Sequence, residues 1–281
     1  MTVGISKSSI SRRAIAAGEK VLRELLAKDL SQTPVLVIYL DGIQFDRHHV
    51  LCALGADSQG YKHVLGLAPG ASENSTVVKE LLEDLVRRGL DPKTRRLFVI
   101  DGTKALRAGI EAVFGADHPV QRCRNHKIRN VLAHLPEDQH EQTKAAMRAA
   151  FQLDWKTGQT KLEQLAGWLE RGGWSSAAAR LREGLEEMFT LNRLGLPASL
   201  GRCLCTTNVL DSSHAGLREK TRRVSRWQGQ DMALRWAAGA LLATAKKFRR
   251  IMGYQQLWML QTHLEQKSDQ QKEIAMPRKT G

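Results

Sequence analysis

The sequence predicts an α/β protein, with a five-stranded mixed sheet, flanking helices and an all-helical block inserted late in the chain. Three observations carry this reading. Five short runs rich in Val, Ile, Leu and Phe lie between Pro34 and Cys123, each bounded by turn residues. Their order, three strands, a helix and then further strands, points to a mixed sheet. From Glu137 to about Leu194 the strand signal vanishes, and alanines, leucines and charged residues recur at helical spacing, with Trp155, Trp168 and Trp174 among them.

Taken in order, Ile5 to Leu30 reads as a polar Ser-Lys-Ser-Ser turn followed by a basic amphipathic helix with Ile15, Leu22, Leu25 and Leu26 on its apolar side. Strands are expected at Pro34 to Leu40, Val50 to Gly55 and Lys62 to Leu67. The first, "VLVIYL", is nearly all apolar and suits a central strand buried on both faces. Asn74 and Ser75 can cap a helix whose stripe of Val77, Val78, Leu81, Leu82, Leu85 and Val86 ends at Gly89. A fourth strand, Leu97 to Ile100, leads through Asp101-Gly102 into a helix from Lys104 to about Phe114. A short fifth around Val120 to Cys123 precedes a basic helix from Asn125 to Leu135. After Gly201 helices are expected at Asn208 to Val224 and Asp231 to Ile251, followed by a polar end.

Composition narrows the function. A hydrophobic content of 42% is normal for a chain that buries a core. The 43 Lys and Arg against 29 Asp and Glu leave a net charge of +14, which attracts polyanions, so nucleic acid is the leading partner class. No apolar stretch approaches the roughly 20 residues needed to span a bilayer. Nor does an apolar region follow the polar start Met1 to Lys7, so a cytoplasmic protein is expected. Cys52, Cys123, Cys203 and Cys205 include one Cys-x-x-His, Cys123 to His126, and one Cys-x-Cys. Neither matches a standard zinc finger, and buried thiols are expected.

The chemistry rests on carboxylates. Asp41 ends the first strand as "IYLDG" and Asp101 the fourth as "FVIDG". Two such aspartates on neighbouring strands can hold a hard divalent cation, magnesium or manganese, between them; taken as an isolated pair, they could equally be Asp-Gly turns. Asp211 supplies a third acid within "TTNVLDSSHAGLREKTRRVSRW". Helical stepping gathers Asn208, Asp211, Ala215, Arg218 and Arg222 on one face, with Leu210, Ser213, Leu217 and Val224 roughly opposite. A metal site beside a phosphate backbone and a solvated charged face both fit that pattern.

Together and in this order, "LDGI", "VIDGTKALR", "QRCRNHKIRNVLAHLP" and "TTNVLDS" resemble the Mutator-type insertion-sequence transposases. The likeness continues through "RRVSRWQGQDMALRWAAGALL" and "KKFRRIMGY", so it covers nearly the whole chain from about Ile5. The resemblance implies a ribonuclease-H-like core with an Asp-Asp-Glu triad and a helical insertion before the last acid. Asp41 and Asp101 match the first two acids, and Cys123 with His126 matches a motif that follows the second. Two departures stand out. The family's third acid is normally glutamate, whereas Asp211 is one methylene shorter. A longer amino-terminal region with a helix-turn-helix-like DNA-binding part is expected to be missing.

On this basis residues 1–30 are expected to be the remnant of an upstream DNA-binding region, 31–136 the first part of the core and 137–200 the helical insertion. Residues 201–265 complete the core, and 266–281 form a polar tail. The residues and the resemblance meet on two-metal phosphoryl transfer to DNA, with Asp41 bridging and Asp101 and Asp211 holding one ion each. Arg122, Arg124, Lys127 and Arg129, then Arg218, Arg222, Arg223 and Arg226, then Lys246, Lys247, Arg249 and Arg250, are expected to position the phosphate backbone. Trp227 is expected in packing rather than in stacking on a base. The partners implied are element-end and target DNA and a homo-oligomer on DNA, with no membrane.

Two rival readings fit parts of the sequence. One is a truncated, catalytically impaired remnant that only binds DNA. The other is a phosphatase related to the haloacid dehalogenases, which requires an acid where Val99 stands.

Overall fold

The computed structural model describes residues 6–224 and 226–275, and the backbone alone at Lys7, Asp211, Ser212 and 267–275. Ser6 caps the first helix, α1 (Lys7–Leu26), by accepting from the Ser9 amide. Three strands follow: β1 (Val35–Phe45), β2 (His48–Asp57) and β3 (Lys62–Pro69). Then come α2 (Ser75–Arg87), β4 (Leu97–Ile100), α3 (Lys104–Phe114), β5 (Val120–Arg122) and α4 (Arg124–Leu132).

The helical block contains α5 (His140–Ala150), α6 (Trp155–Arg171), α7 (Ser175–Arg182) and α8 (Thr190–Arg193), with short 3-10 turns at Glu137–Gln139 and Glu186–Phe189. It leads to α9 (Ala198–Leu204), α10 (Asn208–Thr221), α11 (Gln230–Ala245) and α12 (Leu257–Ala275).

The five strands form one mixed sheet in the order β3-β2-β1-β4-β5. β1 pairs antiparallel with β2 and parallel with β4; β2 with β3 is antiparallel and β4 with β5 parallel. β1 is central because its run of apolar side chains serves both faces. Val37 and Tyr39 enter one core, shared with α1, α9, α10, α11 and α12, whereas Ile38 and Leu40 enter the other, under α2 and α3. This is the period-two alternation of a strand buried on both sides.

α2 packs on α3 so closely that a Cβ on Gly109 would lie 2.4 Å from a methyl of Val78. The helical block has its own core, in which Leu162, Ala166, Leu181 and Phe189 pack with Ile128 and Val131 of α4.

One local expectation needs correction. Asp41-Gly42 does not end the first strand, because β1 runs on to Phe45 with Asp41 opposite Cys52 and Gly42 opposite Leu51. The chain turns instead at Asp46, whose φ of 54° is the left-handed conformation that aspartate tolerates better than most residues.

Candidate active site

The sheet forks where the two aspartates lie. β1 and β4 run in parallel register as far as Leu40 opposite Ile100, after which β4 stops and β1 continues against β2 alone. Asp41 is the next residue on one strand and Asp101 follows the other, so the pair sits across one strand spacing. Alternation assigns Asp41 to the face of Val37 and Tyr39 and Asp101 to that of Leu97 and Val99, the face covered by α10. At Gly102, with φ 103°, the chain leaves the sheet.

Asp101 is held from two sides. Its Oδ1 accepts from the Thr103 amide at 3.0 Å and its Oδ2 from the Ser72 hydroxyl at 3.0 Å. Thr103 in turn donates to the Ser72 carbonyl at 3.1 Å and caps α3. Asp41 is buried, and its Oδ1 accepts from the Gly42 amide at 2.9 Å.

Burial raises the Asp41 carboxyl to about 6; the charge of Asp101 adds to the rise, while His126 and a hydrogen bond from Thr207 oppose it. A buried acid beside a second acid is relieved by a hard cation, and oxygen donors are what magnesium or manganese takes. The residues present therefore fit such an ion. They open onto a cleft of about 810 Å³ lined also by His49, Lys104, His126 and Arg180.

The Cys-x-x-His motif receives α10, the helix that carries Asp211. Cys123 Sγ accepts from the Thr207 amide at 3.3 Å, and Thr207 Oγ1 lies 3.6 Å from that sulfur and 3.4 Å from His126 Nδ1. The Arg124 amide donates to the Cys205 carbonyl at 2.9 Å, and Asn125 donates to Asn208 at 3.0 Å. All four cysteines are buried with free thiols, and burial raises their titration.

Asp211 lies one turn into α10, and its side chain is outside the described residues. The face read from the sequence is otherwise as expected: Asn208, Ala215, Arg218 and Arg222 are exposed, while Leu210, Ser213 and Leu217 are buried.

Three basic residues expected to contact phosphate instead turn inward. Arg122 is buried, donating to Glu187 at 2.5 Å and to the Gly102 carbonyl at 2.6 Å. Arg124 donates to the Met188 carbonyl and to Asn192, and stacks 4.8 Å from the Phe151 ring centroid. Lys127 Nζ donates to the carbonyls of Arg180 at 2.7 Å and Glu183 at 2.6 Å, and burial lowers its titration to about 8.

The cause is the helical block, which folds back over β5 and α4. It offers backbone carbonyls left without partners at the ends of its helices, and these attract cations. Arg129, Arg218, Arg222, Arg223, Arg226, Lys246, Lys247 and Arg249 are exposed. Arg250 is exposed too, stacked on Tyr61 and Tyr254. Trp227 packs against Phe45, ring centroids 5.0 Å apart.

Sequence reasoning missed Ser72 and Thr207. Ser72 lies in a loop with no motif around it. Thr207 stood in plain view in "TTN", four residues before Asp211.

A mixed five-stranded sheet with helices on both faces, forked at paired aspartates, is a ribonuclease-H-like arrangement. The chain belongs to the Mutator family of transposases, which matches residues 1–250.

It is 28% identical over 256 residues to the transposase for insertion sequence element IS6120 of Mycolicibacterium smegmatis, covering 88% of this chain and 77% of that one. To the transposase for IS406 of Burkholderia multivorans it is 32% identical over 251 residues, covering 86% of this chain and 62% of the relative. To that for ISRM5 of Rhizobium meliloti it is 29% identical over 216 residues, or 76% and 52%. The chain thus spans less than two thirds of the latter two. Among the described residues no helix is long and apolar enough to cross a membrane.

Proposed function

We propose that this chain is the phosphoryl-transfer part of an insertion-sequence transposase, cutting DNA strands at element ends and joining them to target DNA. The observation that carries the reading is the acid pair, Asp41 and Asp101, at the fork between β1 and β4. These two carboxylates and Asp211 would hold divalent metal, magnesium or manganese. When bound, such ions supply Lewis acidity at the phosphoryl oxygens and activate the attacking hydroxyl.

The chain's own residues then do three things. Ser72 and Thr103 fix the orientation of Asp101. Thr103, as the cap of α3, ties that orientation to the helix that follows. The exposed cations Arg129, Arg218, Arg222, Arg223, Arg226, Lys246 and Lys247 neutralise phosphates and align the duplex without reading bases.

The test is nicking of supercoiled plasmid in magnesium, with chelator and with Asp41→Ala and Asp101→Ala as controls. Metal-dependent nicking lost in both variants is expected; nicking that survives either substitution overturns the reading.

A second reading is favoured by one residue. Asp211, where the resembling family has glutamate, reaches one carbon less far. A protein so altered would bind DNA without cutting it, and no nicking alongside intact DNA binding would support this alternative.

A further inference from the structure

We propose that Arg122 is a positioning residue for the acid pair, aiming the amide that holds the Asp101 carboxylate, and that Glu187 of the helical block sets Arg122 in place. This rests on the reading of Asp101 as a metal ligand.

The link runs through a single peptide unit. Arg122 stands opposite Ile100, the residue before Asp101, in the register of β4 and β5. Its Nη1 donates to the Gly102 carbonyl at 2.6 Å, and the N–H of that same peptide, on Thr103, donates to Asp101 Oδ1 at 3.0 Å. A trans peptide is planar, with its C=O and N–H pointing in opposite directions. Fixing the oxygen therefore fixes the direction of the hydrogen. A cation on the carbonyl also polarises the amide and strengthens it as a donor. Gly102, at φ 103°, lacks a side chain to restrict its rotation, so the backbone alone does not set this orientation.

Glu187 sets Arg122 in turn. One of its oxygens accepts from Arg122 Nε at 2.5 Å, and the other from Arg107 of α3, the helix that Thr103 caps, at 2.7 Å. One carboxylate from the block thus tethers both sides of the Asp101–Thr103 turn. It also neutralises a guanidinium whose charge alone would oppose a metal cation nearby. Gly184, at φ 62°, leaves the room required: a Cβ there would lie 2.3 Å from the guanidinium carbon.

Arg124 provides the comparison. It grips the same block through the Met188 carbonyl and Asn192 without touching the Asp101 turn. If these arginines only fasten the block, both behave alike; if Arg122 aims a carboxylate, they do not. Manganese binding is followed on the whole chain by the spin-resonance signal of the free ion, with thermal melting measured in parallel. The variants are Arg122→Lys, Gly184→Ala and Arg124→Lys. Lysine keeps the charge and loses the fork that reaches carbonyl and carboxylate together.

Partners that orient a ligand are worth about ten- to a hundredfold in metal affinity. Arg122 acts one peptide away, so Arg122→Lys is expected to weaken manganese binding about tenfold, while Arg124→Lys stays within about twofold of the unaltered protein although it too melts earlier. Unchanged affinity in Arg122→Lys, or an equal loss in Arg124→Lys, overturns the proposal.

Should Arg122→Lys not fold, Gly184→Ala carries the test, because its methyl displaces the guanidinium and leaves the arginine in the chain. A several-fold loss is expected, and undiminished affinity in the folded protein overturns the proposal. Asp101→Ala is the control for the underlying reading. If it leaves manganese binding intact, the metal site itself is wrong and this proposal falls with it. If it abolishes binding while the Arg122 and Gly184 variants do not respond as stated, only the positioning role fails.

Discussion

Arg122 on β5 closes its guanidinium on Glu187 of the helical block at 2.5 Å, and the same group holds the Gly102 carbonyl next to Asp101. Glu187 also pairs with Arg107 of α3 at 2.7 Å, so one carboxylate joins the block to two elements of the core. Removing its charge leaves two cations facing each other. Glu187→Gln is expected to cost on the order of 1 to 2 kcal/mol, less than a fully buried pair because Glu187 and Arg107 are partly exposed, measured by urea denaturation. A loss within experimental error would mean the pair contributes nothing net.

The two kinds of cation are separable by salt. Lys127→Met orphans two buried carbonyls and is expected to cost on the order of 2 kcal/mol of stability, yet to leave the salt dependence of DNA binding unchanged. The double change Lys246→Ala, Lys247→Ala should do the opposite, lowering the slope of log affinity against log salt by roughly 1.8 with melting unaffected. If Lys127→Met lowers the slope, that lysine reaches phosphate after all.

His214 gives a pH dependence. It is buried on α10, its Nε2 has no hydrogen-bond partner, and burial, with Arg218 and His126 adding, lowers its titration to about 3. The folded state therefore holds the neutral ring where the unfolded chain takes up a proton. Its contribution is intact above pH 6.5 and is lost as pH falls towards 3. At pH 5 the loss is about 2 kcal/mol relative to pH 7.5. His214→Leu should flatten that part of the stability profile, and an unchanged slope between pH 7.5 and 5 would exclude His214 as its source.

Under the proposed function, Asp211 is where geometry would decide rate. Magnesium demands near-ideal octahedral coordination, and if Asp211 holds the ion as proposed, its carboxylate would reach one carbon less far than a glutamate there. Misplacement of that size costs on the order of a hundredfold in rate. Asp211→Glu is expected to raise nicking in magnesium, and manganese to rescue the native protein in part. If glutamate is no faster, Asp211→Ala distinguishes a competent aspartate from an uninvolved one.

Much of this was legible in the sequence because it is written in apolar periodicity. Lys104–Phe114 emerged as the same helix from both sources, and "VLVIYL" as the central strand, since runs buried on both faces tolerate little else. The extension of β1 was hidden because Asp41-Gly42 is also what a turn looks like; only pairing with Cys52 and Leu51 shows a strand. The inward arginines and lysine were hidden for a different reason. Their acceptors include the backbone carbonyls of Gly102, Arg180, Glu183 and Met188, and a carbonyl has no letter in the sequence. A cluster of cations reads the same whether it faces a phosphate or the end of a helix.

The position of the helical block, between the acid pair and α10, also sets the order in which the proposed site can assemble. Asp41 and Asp101 share a fork built by the first half of the chain, but Thr207 reaches Cys123 only once the helical block has been made and folded back. On a ribosome, where domains fold as they emerge, the sheet can assemble early while the helix carrying the third acid is still being synthesised. Competence to act on DNA would then arrive as a late, all-or-none event of chain completion, and abortive products ending within the block would carry two acids and no enzyme.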